Sequence, residues 1–222
     1  MTQSGTGRIR RRAAERREQI LAVAADTFAI AGFRGTSLAE VAAKVGVSEP
    51  GLLHHFNSKE TLILAVLQQR DIDDEQAVDA QFQNVEPTTT DLLMAVCRRN
   101  ETQPDLVRLF TVTVAESLDP AHPAHLFFFE RNQRVRNRIV QLIRSDQQKG
   151  ELPTYLDPAD TATELVALMN GLQLQWLRDP TVDMCGVLEA ALQRLRNAPD
   201  QRAEPAAPSP ARPDRLDQPR RP

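Results

Sequence analysis

Residues 31–62, AGFRGTSLAEVAAKVGVSEPGLLHHFNSKETL, leave little freedom in how this chain can fold, because helix starts and stops stand there at close intervals. Ser37 followed by Glu40 has the form of a capping box, in which a hydroxyl takes one orphan N–H of a first turn and the carboxylate reaches back to another. Leu38, Val41, Ala42 and Val45 fall at i, i+3, i+4 and i+7, the spacing of one buried helix face. Gly46 comes directly after, where a left-handed backbone closes a helix and only glycine takes it without steric cost. Ser48 then caps a second helix, with Pro50 in a first turn where a missing N–H had no helical partner to lose. Leu52 and Phe56, four apart, bury one side of it and leave Glu49, Gly51, Leu53, His54 and His55 on the others. Helix, short glycine turn, helix is the geometry that lays a second helix in the major groove of DNA.

The flanks fit this core motif. Ala13 to Ala31 reads as a helix, with Ile20, Ala24, Phe28 and Ala31 packing over the two that follow, and Gly32 ends it. Ser58 caps the next long helix and puts Lys59 in its first turn beside free backbone donors, a place suited to a phosphate. Residues 1–60 hold 9 Lys+Arg against 6 Asp+Glu, and the remainder 18 against 24, so the net charge of −3 conceals a basic head on an acidic body. Arg8, Arg10, Arg11, Arg12, Arg16 and Arg17 make the start basic. Residues 1–12 are predicted to form a disordered arm, either tracking phosphates beside the recognition helix or simply solvated. His54 and His55 point about 100° apart on a helix and have no third ligand nearby, so groove contacts are preferred to a metal, and no metal or cofactor is expected.

Ser48-Glu49-Pro50-Gly51-Leu52-Leu53-His54-His55-Phe56-Asn57-Ser58-Lys59, with Gly32-Phe33 and Gly35-Thr36-Ser37 upstream, resembles the DNA-binding domain of the TetR family of bacterial transcription regulators over roughly residues 14–67. The resemblance implies an all-α homodimer, each subunit carrying a helix-turn-helix head and a larger helical domain that binds a small effector. By the same resemblance Thr36, Ser37, Ser48, Glu49, Pro50, Gly51, Leu53, His54, His55 and Lys59 are the DNA-facing set. Leu53 stands where most members carry an aromatic residue, and Glu49 where many carry a basic or amide one. A leucine can still touch a thymine methyl and a carboxylate can accept from a cytosine amino group, so both departures alter which sequence is read.

The implied organisation is an arm over 1–12, a helix-turn-helix domain over 13–62, an effector-binding and dimerisation domain over 63–197, and a flexible Pro-rich tail over 198–222. Helices are expected over 63–79, after Pro87, after Pro104, from the 122–125 segment to Gly150, from Asp157-Pro158 to Arg178, and from a cap at Asp183. Arg131, Arg134, Arg136 and Arg138 read as a solvated face. The last two helices resemble the family's dimer interface, with Leu165, Leu168, Leu172, Met184, Val187, Leu188, Ala191 and Leu195 as its residues. Met94, Phe110, Phe128, Phe129, Met169 and Trp176 are the candidates for the wall of an effector pocket, whose few interrupting charges favour an apolar or weakly polar ligand.

Other classes are disfavoured. No Gly-x-Ser-x-Gly elbow, phosphate-cradling Gly-rich loop or His-Glu-x-x-His is present, so an enzyme is not expected. No apolar run reaches the ~18 residues of a membrane span and the start lacks an apolar segment, which predicts a cytoplasmic protein with no membrane partner. Cys97 and Cys185 belong to no metal spacing and read as free, packed thiols. The competing expectation is a helical small-molecule receptor that acts through a protein partner without binding DNA.

Overall fold

Short polar caps divide the chain into helices. The computed structural model describes residues 3–83 and 85–197, with side chains from Arg11 onward, and among these residues there are helices and no strands. They are α1 (Gln3–Gly35), α2 (Leu38–Val45), α3 (Glu49–His55), α4 (Lys59–Phe82), α5 (Thr89–Glu101), α6 (Pro104–Glu116), α7 (His125–Gln148), α8 (Pro158–Arg178) and α9 (Met184–Arg196). The all-α expectation holds. No helix among the described residues is long and apolar enough to cross a membrane.

Two local differences from the sequence reading have simple causes. The backbone is helical back to Gln3 where a disordered arm was expected over 1–12, because adding residues to an existing helix is far easier than starting one. Arg11 and Glu15 pair one turn apart at 2.9 Å on that stretch. Met1, Thr2 and the Pro-rich tail expected over 198–222 lie outside the described residues. The second difference is at α2, where Ser37 accepts from the Glu40 N–H at 3.1 Å but the Glu40 carboxylate takes Lys44 Nζ at 2.8 Å instead of reaching back. The reciprocal box forms at α4, between Ser58 and Thr61.

The core has two main parts. The first is built on Ile20, Ala24, Phe28, Val41, Leu52 and Leu62, all buried, and runs without interruption into Leu109, Phe110, Ala124 and Phe128. The α1–α3 segment therefore shares its core with α6 and α7. The second part gathers Leu93, Met94 and Cys97 of α5 with Ile139 and Ile143 of α7 and the inner faces of α8 and α9. Leu165 and Leu172 of α8 and Met184 and Leu188 of α9 belong to it, buried within one protomer. That corrects their place in the expected dimer interface: Met184, Leu188 and Leu192 form an i, i+4, i+8 stripe that α5 and α8 cover. Leu168 and Leu195 are half-buried against the same cluster, Ala191 is half-buried, and Val187 points outward, 44% exposed. Cys97 and Cys185 meet across α5 and α9 with Sγ atoms 2.7 Å apart.

Candidate nucleic-acid interface and ligand cavity

α3 is a seven-residue helix held from beneath. Ser48 Oγ accepts from the Gly51 N–H at 3.2 Å, Leu52 is fully buried, Phe56 is 4% exposed, and the Arg17 guanidinium lies over the Phe56 ring at 4.9 Å. Arg16 donates to the Val45 carbonyl at 3.3 Å, which closes the end of α2 against α1. Gly46 takes the left-handed conformation (φ 77°) that its place after Val45 demands. With one side anchored, the other is left to solvent. Ser48, Glu49, Pro50 and His54 are exposed and Gly51, Leu53 and His55 half-exposed, with the two imidazoles edge-on at 5.8 Å.

Two members of the expected DNA-facing set have inward partners. Thr36 is buried and its hydroxyl donates to the Gly32 carbonyl at 2.8 Å, so its side chain is a fastening for the end of α1 and has no route to DNA. Lys59 Nζ donates to the Thr36 carbonyl at 2.7 Å and lies 4.6 Å from the Phe33 ring centroid. An ammonium has three donors, so Lys59 can still meet a phosphate, but it also ties α4 to the α1–α2 junction. Ser37 is exposed and its hydroxyl proton is uncommitted by its capping role.

The head docks on α6 through contacts the sequence did not disclose. Gly32 has φ 69° and ψ 177°, a region essentially restricted to glycine, and it turns the Phe33 N–H onto the Glu116 carboxylate at 2.9 Å. Arg34 pairs with Asp119 at 3.1 Å. His122 stands edge-on to Phe33 at 5.0 Å, accepts at Nδ1 from the Ala124 N–H at 3.1 Å, and has Nε2 3.8 Å from Glu116. Burial holds its imidazole below the ordinary value, against the opposing pull of Glu116. The His125 ring bonds the Ser117 carbonyl at 2.8 Å. Both histidines thus fasten the turn after α6, and among the described residues no cluster of metal-ligating side chains is present.

Farther along, α4 to α8 enclose a cavity of about 620 Å³. Of the six residues expected on its wall, Phe110 and Met169 line it. Met94 is packed into the second core cluster, Trp176 leans on that cluster from its edge, Phe128 is buried with its ring against Phe110, and Phe129 points outward. Of the four arginines expected on a solvated face, Arg134, Arg136 and Arg138 are exposed and Arg131 is half-buried; Arg131, Arg134 and Arg138 also line the cavity and pair with Asp71 and Asp79 of α4. Arg70, on α4 itself, is 7% exposed and donates to the Leu106 carbonyl of α6.

The profile described as "Bacterial regulatory proteins, tetR family" matches residues 20–66, and that described as "BetI-type transcriptional repressor, C-terminal" matches residues 75–202, more than half of the chain. The chain belongs to the TetR family. The HTH-type transcriptional regulator RutR of Escherichia coli is 45% identical over 64 residues, which is 29% of this chain and 30% of that protein, so this likeness spans under a third of RutR. A TetR-family regulator structure from Rhodococcus sp. is 25% identical, with a TM-score of 0.67 over 82% of this chain and 99% of that one. A regulator from Saccharomonospora viridis, solved in complex with choline, shares the fold at 21% identity and a TM-score of 0.70, over 83% and 97% of the two chains.

In this TetR-family chain one profile ends and the other begins inside α4, whose first turn carries Lys59 and whose later turns carry Arg70, Asp71 and Asp74. One helix therefore has the reading head at one end and the cavity along its length. The reading head is local in sequence, whereas each docking or cavity contact joins residues far apart, such as Phe33 to Glu116.

Proposed function

We propose that this chain is a homodimeric, DNA-binding transcriptional regulator that represses from a palindromic operator and is released by a small-molecule effector. The observation that carries the reading is α3: it is anchored by Leu52 and Phe56 while Glu49, Leu53 and His54 are turned outward, an arrangement that stability alone does not call for. Base-edge contacts from these three, with phosphate contacts from Ser37 and Lys59, would set register and sequence preference. Pairing through α8 and α9, on whose outer side Val187 is exposed, would hold two heads one or more duplex turns apart. An effector seated between α4 and α6 would act on the one helix that carries Lys59 and on the other that holds the head through Glu116. Its power is capped by its differential affinity for the two conformations.

The test is a gel-shift with the intergenic DNA upstream of the chain's own gene. A salt-dependent shifted band is expected, lost in the Glu49→Ala, His54→Ala double variant, whose exposed positions leave the fold intact. A folded dimer that gives no band at low salt refutes the regulator and favours a receptor that works through a protein partner.

A further inference from the structure

The cavity wall is of two kinds. Val107, Val114, Val135, Ile139, Val166 and Leu174 present hydrocarbon to it. Beside them, two carboxylates serve four guanidiniums. Asp74 is shared by Arg70 at 3.1 Å and Arg99 at 2.6 Å, and Asp71 by Arg131 at 2.6 Å and Arg134 at 3.4 Å. Arg138 also lines the wall and is answered by Asp79 at 2.7 Å. Glu75, exposed at the rim, is the remaining carboxylate among the lining residues, and even with it the four guanidiniums outnumber three acids.

Arg70 is the most enclosed of the four. Burial lowers its guanidinium to about 10; Asp74 and Asp71 oppose the shift and Arg131 adds to it. At that value Arg70 stays charged near neutrality, and enclosed positive charge without a matching anion is unfavourable. A guanidinium has five donors in a planar fork, and Asp71 and Asp74 cannot satisfy all of them, so donors remain for an oxyanion.

The same wall is unsuited to a cation. A quaternary ammonium is held by aromatic faces, and Phe110 is the one aromatic side chain among the lining residues. Its ring already has Arg70 at 4.0 Å and Arg131 at 4.8 Å, and meets Phe128 edge-on at 5.6 Å. The charges point beyond the apolar or weakly polar ligand expected from the sequence.

We propose that the cavity binds an amphipathic anion, its oxyanion head between the guanidiniums of Arg99, Arg131 and Arg134 and its apolar body against the lining valine, isoleucine and leucine side chains. Calling that ligand the effector rests on the proposed regulator function; the binding itself does not.

Isothermal titration of the full chain without DNA tests it, using decanoate, decan-1-ol and decyltrimethylammonium as probes with one tail and three heads. Decanoate is expected to bind about ten-fold or more tighter than decan-1-ol at low salt, the difference that charge-assisted hydrogen bonds make. Salt should shrink that margin, and so should Arg134→Gln, whose guanidinium is more than half exposed and can be removed without loss of the fold. An alcohol that binds as tightly as the carboxylate overturns the proposal. So does an ammonium that binds tightest, a margin unchanged in the folded Arg134→Gln chain, or no binding of any probe. A gel-shift with decanoate is read separately. Binding that leaves the operator complex intact removes the effector role and keeps the ligand class, whereas no operator complex at all removes the regulator reading alone.

Discussion

Gly32→Ala probes the joint between the reading head and the rest of the protein. At φ 69° and ψ 177° any side chain is strained, and an alanine Cβ would stand 2.5 Å from Glu116 Oε1. The strain costs about 1–3 kcal/mol. The carboxylate, being the end of a flexible chain, would swing away and lose its bond from the Phe33 N–H. Such a bond to a charged acceptor contributes about 1.5–3 kcal/mol, and here the lower end, because Glu116 is 28% exposed. The two effects together come to roughly 2.5–4.5 kcal/mol, a large share of the ~5–15 kcal/mol that typically separates folded from unfolded protein. Glu116→Ala removes the second effect alone, so in that background Gly32→Ala should cost only the strain. Urea unfolding of both single variants and the double, at one protein concentration, gives the coupling, expected at about −1 to −2 kcal/mol. Strictly additive costs, or a Gly32→Ala penalty under about 1 kcal/mol, would refute a joint made by Glu116.

His122 gives a pH signature at the same joint. Its folded-state value lies below the ordinary one, so the unfolded chain binds the extra proton first, and stability present above pH ~6.5 is lost as pH falls below it, by at most ~1.4 kcal/mol per pH unit. The drop in melting temperature between pH 7.5 and pH 5.5 should be smaller in His122→Gln, and equal drops would count against this account. Burial raises the Cys97 and Cys185 thiols, so a disulfide exchange reagent should modify both slowly at pH 7 in the native chain and fast in urea; rapid native labelling would contradict it. Val187→Asp should leave each protomer folded, since the side chain is exposed, while light scattering shows the proposed dimer shifting to monomer; a dimer of unchanged affinity would place the interface elsewhere.

What could be read from sequence was local. Ser48, Pro50, Leu52 and Gly46 each act within about a turn of themselves, and their chemistry allows one backbone solution apiece, so the short helices and the outward side of α3 followed directly. Periodicity also found α8 and α9 but could not say what covers them. Met184, Leu188 and Val187 lie on one apolar arc, yet the first two are covered by the protomer's own α5 and α8 and the third is left 44% exposed. A helical period is silent on whether its cover is the same chain or a second copy. An aromatic residue on an apolar stripe is equally silent: Phe110 lines the cavity and Phe128 is packed against Phe110, although both precede the structure as phenylalanines on amphipathic helices.

The charged wall was hidden for a stronger reason. Arg131 and Asp71 are 60 residues apart, and on either helix alone each is an ordinary surface charge. Asp71 and Asp74 repeat at i, i+3 on α4, and Arg131 and Arg134 at i, i+3 on α7, a spacing that keeps each pair on one side of its helix. Those spacings are the signal that was present, and they gain meaning only once α4 is known to face α7, whose two arginines share Asp71, and α5, whose Arg99 takes Asp74. The same reasoning makes the wall hard to alter piecemeal: removing Asp71 would leave Arg131 and Arg134 both unanswered, whereas removing Arg134 leaves Asp71 still paired with Arg131. The acids hold the scaffold and the outer arginine is the member free to answer a ligand.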